Sequence, residues 1–254
     1  NVHSFGNLSV APRARLVLSG GGQSEGRVDV MKHGVLELAG GVFAMDGDSF
    51  VHGNGTFVVS GGLHSLPDIV RPNVQIEGGA VEVNSRELTL LGDVTIRNGT
   101  LRFRMTSTNA VIANATLTIN GGELLFPEVL PNAGMHPSHL HTEVRNADRA
   151  QFRVLGPFVW RGGTIRGNVD LESRLSTHLD GGPKHLEALA HVINFENMLW
   201  GTGDVITKEL GVLTTKGTMQ MESPSTFNAR LVYLDTFDGC CPEKGGSHLH
   251  TWED

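Results

Sequence analysis

One short pattern recurs along most of this chain: a Gly-rich turn joined to a strand in which polar and apolar residues alternate. The clearest copies are Arg15-Leu-Val-Leu18-Ser-Gly-Gly, Val35-Leu-Glu-Leu38-Ala-Gly-Gly and Thr56-Phe-Val-Val59-Ser-Gly-Gly. Ala80-Val-Glu-Val83, Thr100-Leu-Arg-Phe103, Glu123-Leu-Leu-Phe126 and Thr164-Ile-Arg-Gly167 follow. Read as one series, the first six copies begin at 15, 35, 56, 80, 100 and 123, at intervals of 20, 21, 24, 20 and 23. A second strand precedes the corner in Val74-Gln-Ile76-Glu-Gly-Gly, Val94-Thr-Ile96-Arg-Asn-Gly, Leu117-Thr-Ile119-Asn-Gly-Gly and Phe158-Val-Trp160-Arg-Gly-Gly.

Alternation places Val74 and Ile76, or Leu36 and Leu38, on one face of a strand and their polar neighbours on the other. Strands this short cannot close a core alone. Stacked coil upon coil at about 4.8 Å they form parallel ladders whose inward rows make one continuous core, and eight to ten coils give a rod on the order of 40 Å long. The composition agrees, with 33 glycines for tight corners and only 6% aromatic residues, few for a layered α/β core. A β-sandwich also has short strands and many turns, but it has no reason to repeat every 20–24 residues with Gly at one phase.

The pattern resembles the right-handed parallel β-helix superfamily, which includes pectate-lyase-like enzymes, phage tailspikes, adhesins and other surface proteins. The resemblance spans residues 14 to 222 and is one of fold period; the Gly-Gly corners are closest in style to adhesin-type solenoids. It implies an all-β fold: a single right-handed parallel β-helix with about 20–24 residues per coil over residues 1–222. Two long loop insertions are expected, near 127–150 and 173–196, and an irregular C-terminal tail or cap over 223–254. The best helical candidate, Pro183–Phe195 with Leu186, Leu189 and Ala190, is assigned to the second insertion.

A net charge of −7 argues against nucleic acid as the main partner, because phosphate binding needs a basic surface. No apolar run reaches the length of a bilayer-spanning helix. The chain begins at Asn1 without a signal-type apolar stretch, as expected of a mature chain or an excised ectodomain. The two cysteines, Cys240 and Cys241, are adjacent, read as free thiols or a local bridge in a C-terminal loop, with pairing to another chain as the alternative.

Four Asn-x-Ser/Thr sequons, at Asn7, Asn54, Asn98 and Asn114, are candidate glycosylation sites, and Asn54 and Asn98 read as the same corner of the repeat. Asn-Gly is also a favoured corner dipeptide in its own right. The pentapeptide Ser-His-Leu-His-Thr occurs twice, at 138–142 and 247–251. In an extended segment His-x-His points both imidazoles to one side, so His136, His139, His141, His248 and His250 are candidate ligands for Zn or Cu, against the plainer reading of polar loop residues. A milder version is a patch that titrates near neutral pH.

Catalytic residues are not evident. The paired carboxylates that glycosidases need are missing as a motif, and Asp46-Gly-Asp48 reads as a solvated turn. The expectation is an extracellular or cell-surface binding module, an adhesin or receptor ectodomain recognising a glycan or protein ligand. The alternatives are a polysaccharide-active lyase or hydrolase, favoured by a groove lined with Arg102, Arg104 and Arg161 near carboxylates, and a structural or assembly protein.

Overall fold

A computed structural model of the chain describes residues 2–4, 6–45, 49–105, 109–112, 115–128, 149–208, 211–222 and 232–233. Among them every strand pairing is parallel and there is no helix. The architecture is the parallel β-solenoid implied by the repeat, and three ladders run its length. Ladder I joins Arg15–Leu18, Val35–Leu38, Thr56–Val59, Asn73–Ile76 and Val94–Ile96, and continues to Asn197–Trp200 and Met219–Met221. Ladder II, one Gly-rich corner further along each coil, starts at Val2–Ser4 and includes Ala80–Val83, Thr100–Phe103, Lys184–Glu187 and Val205–Thr207. Ladder III is a separate sheet of eleven strands from Leu8–Val10 to Val232–Tyr233. In two coils the strand runs through the corner, as Leu117–Leu125 and Pro157–Arg166, and fuses ladders I and II into one sheet.

This corrects the phase of the repeat. The copies at 15, 35 and 56 lie on ladder I, whereas those at 80, 100 and 123 lie on ladder II. The apparent interval of 24 is a jump between ladders. Within a ladder, Phe57 sits beside Val74 and Leu63 beside Ala80, so this coil is the short one, at 17 positions. Both series carry the same alternation beside Gly, so the sequence pattern could not separate them.

Alternation does what it should: Val28, Val30, Leu36, Leu38, Ile76, Val81, Val83, Ile96 and Leu117 are all buried inside the coils. Phe103 and Phe126 stack at 4.6 Å, and Phe152 of ladder III meets both edge-on at 5.7 and 5.9 Å. Edge-to-face rings of this kind add to the stabilisation from burial alone. The corner between ladders I and II needs glycine because backbones pass each other there. Gly41 has φ +69°, and a Cβ on it would lie 2.6 Å from the backbone nitrogen of Gly21 in the coil below.

Residues 173–196 are a regular coil and not an insertion. Ser176–Leu179, Lys184–Glu187 and His191–Asn194 take places on ladders I, II and III. The helical candidate Pro183–Phe195 is likewise two strands, linked by a turn in which Ala188 and Leu189 have positive φ. Cross-coil pairing overrides the local pattern, since these strands hydrogen-bond to coils on both sides. Polar residues at inward positions hide the coil in the sequence: Ser173, Thr177, Lys184 and Asn194 are all buried. Three of them satisfy one another. The Thr177 hydroxyl lies 2.8 Å from both Ser173 Oγ and Asn194 Oδ1, while Asn194 Nδ2 donates to Glu196 O and Thr215 Oγ1.

The first expected insertion leaves its mark on the spacing. Leu117 pairs with Phe158, 41 positions on, where neighbouring coils take 19 to 23. Residues 129–148, most of that expected insertion, lie outside the described residues, as do 223–231 and 234–254 of the expected tail or cap.

Candidate functional site

Outward positions of a ladder bring residues one coil apart into adjacent rungs. On ladder II one such row is Glu82, Arg102, Leu125, Arg166 and Glu187, and a parallel row is Thr100, Glu123, Thr164 and His185. Between them lies a cavity of about 500 Å³, walled by Arg102, Arg104, Glu123, Thr164, Arg166 and Glu187, with Pro127 and Glu128 at one side. Glu128 is the last described residue before 129–148, so the groove sits where the long coil departs.

Charges in the groove are matched. Arg104 is paired with Glu82, and Arg102 Nη1 lies 3.7 Å from the same carboxylate. Arg166 Nε donates to Glu128 at 2.5 Å, and its Nη1 is 3.7 Å from Glu187, which also has Lys208 Nζ at 3.5 Å. The Thr100 hydroxyl donates to Glu123 at 3.3 Å. These arginines are 41 to 51% exposed, so the pairs contribute little to stability. They set guanidinium and carboxylate groups side by side on the outward face of ladder II. Leu125 and Pro127 supply part-exposed apolar surface, while Phe103 and Phe126 beneath belong to the core.

Of the three arginines expected to mark a groove, Arg102 and Arg104 are in it. Arg161 is exposed at the glycine corner and does not line the cavity. Sequence reasoning missed Arg166, Glu123, Glu128 and Glu187. The signal that could have found them is arithmetic: Arg166 and Glu187 are 21 residues apart, one coil, and hence adjacent rungs.

A second constellation crosses ladder III. His191 Nδ1 lies 3.2 Å from Asp170 Oδ1, and His191 Nε2 lies 2.8 Å from the Thr214 hydroxyl. Asp170 also receives Gln151 Nε2 and faces Arg149 at 3.2 Å. Burial pushes its carboxyl up, but the hydrogen bond from His191 and the Arg149 charge win and hold it below its ordinary value. The order carboxylate, imidazole, hydroxyl has the connectivity of a nucleophilic relay. Yet Thr214 is only 7% exposed, and none of the three residues lines the groove. These hydrogen bonds tie three successive coils together.

Asn7, Asn54 and Asn98 are all exposed, so three sequons are open to solvent. They do not share a corner as expected: Asn54 lies between ladders III and I, and Asn98 between ladders I and II. Asn114, the candidate ligands His136, His139, His141, His248 and His250, the turn at Asp46 and Asp48, and Cys240 and Cys241 lie outside the described residues. Among the described residues no group of three or more His, Cys, Asp or Glu is placed to hold a metal ion, and no helix is long and apolar enough to cross a membrane. Comparison with protein-family models, with curated proteins and with solved structures finds no match to this chain.

Proposed function

We propose that this chain is a binding module of an extracellular or cell-surface protein, and that it holds an extended ligand along ladder II. The groove of Arg102, Arg104, Arg166, Glu123 and Glu187 carries this reading. It offers donors and acceptors on successive rungs, a repeating surface suited to a repeating ligand. Glu82, Glu128 and Glu187 are each engaged by a cation, so the lining presents neighbouring charges of both signs. Solvent-exposed sequons at Asn7, Asn54 and Asn98 support an extracellular setting.

The test is to run the purified protein through gels containing soluble polysaccharides, and to assay the same mixtures for new reducing ends and unsaturated products. Retardation without product supports a binding module. Product formation would instead select the lyase or hydrolase reading, and neither retardation nor product would remove glycan as the ligand class.

A further inference from the structure

We infer that the ladder II groove selects neutral carbohydrate over acidic polysaccharide, an assignment that rests on the binding-module reading. The argument is one of charge and hydrogen-bond capacity. Three arginines line the cavity, Arg102, Arg104 and Arg166, and so do three glutamates, Glu123, Glu128 and Glu187. A polyanion entering the groove would have to compete with the carboxylates that already pair with Arg104 and Arg166, and Arg102 has the Glu82 carboxylate 3.7 Å away. It would also meet Glu123, whose described partner is a neutral hydroxyl, Thr100. Like charges brought together at a partly dehydrated surface are costly. An apolar ligand fares no better, because it would strip water from six charged groups and return no hydrogen bonds.

A polyol suits both halves of the lining. Each sugar hydroxyl can donate to a glutamate oxygen and accept from a guanidinium N–H, so neither ion pair has to break. The apolar patches at Leu125 and Pro127 fit the C–H faces of sugar rings. The rungs add a length argument. Thr100, Glu123 and Thr164 stand on three successive coils at strand spacing, about 4.8 Å apart. A pyranose unit in an extended chain is of similar length, so successive sugars can meet successive rungs in one register.

The probes are uncharged six-unit β-glucan, xylan and mannan oligosaccharides, set against oligogalacturonate and a sulfated oligosaccharide, each titrated calorimetrically into the whole chain. Binding of at least one neutral probe, nearly independent of salt, is the expected result. Glu123→Gln and Arg102→Gln, both at outward positions, should each weaken it about tenfold, the worth of one hydrogen bond to a charged group. Circular dichroism and thermal melting of both variants check that the solenoid is intact. Binding of the anionic probes alone, with a steep salt dependence, would overturn the selectivity while leaving the module reading in place. Neutral binding that both folded variants retain in full would overturn the assignment to this groove. Failure of every probe sinks the proposal and, if the gels also show no retardation, the glycan reading with it.

Discussion

Lys184 lies fully buried at the first position of the ladder II strand Lys184–Glu187, and its ammonium group donates to Gly182 O at 3.0 Å and Thr202 O at 3.2 Å. Burial brings its pKa down from 10.5 to about 8, against the opposing pull of Asp180 and Asp204. Folded protein therefore releases this proton near pH 8, whereas unfolded chain holds it up to about 10.5. Between those values the unfolded state binds more protons, so the lysine makes stability rise as the pH rises through that window. Below pH 8 the full cost of burying the charge is present. Lys184→Met keeps the length of the side chain and removes the proton. Denaturant titrations of the two proteins from about pH 8 to 10.5 should show wild type gaining on the variant across the window. Parallel curves would show that the lysine is not held as described.

At the scale of elements, the glycine corner between ladders I and II tests the stacking directly. Gly181 and Gly182 are neighbours with opposite demands. Gly181 has φ +78°, and a Cβ there would lie 2.8 Å from Arg161 O. Gly182 has no such backbone strain, and its nearest contact would be an ordinary 3.5 Å. Gly181→Ala should cost about 2 kcal/mol, the usual penalty for a side chain forced into this region with a close contact added. Gly182→Ala should change stability by about 0.5 kcal/mol or less. Equal effects in chemical denaturation would mean that the corner tolerates a Cβ wherever it falls. The corners themselves are legible in the sequence as recurrent Gly-Gly. Which glycines of these pairs take a positive φ is not: it is the second at Gly40–Gly41 and the first at Gly181–Gly182, set by the backbone of the neighbouring coil.

For the whole molecule, coil length is the variable that matters. The 41 positions from Leu117 to Phe158 span a single coil, since Leu117–Leu125 pairs directly with Pro157–Arg166 and Asn109–Ile112 with Ala150–Val154. Removing the twenty residues 129–148 shortens that coil to 21 positions, the spacing of Thr177 and Met198. Each coil is held by its neighbours through the ladders, so the shortened chain should fold and melt within a few degrees of wild type. A large loss of melting temperature, read by circular dichroism at equal concentration, would show that 129–148 supports the stack.

The sequence by itself determined the solenoid, because alternation at 36–38, 74–76 and 94–96 beside Gly that recurs about once per coil fits coils stacked in parallel. It also marked Arg102 and Arg104. The tertiary structure decided the phase, since ladders I and II carry the same local pattern and only register tells Phe57–Val74 from Leu63–Ala80. It decided that 173–196 is a coil, because Thr177, Lys184 and Asn194 look like surface residues until their buried partners are seen. The groove belongs to the same class. In the series Arg102, Glu123, Arg166 and Glu187, each member lies 21 to 43 residues from the next, and they meet only because stacking turns one coil of sequence into one rung of height.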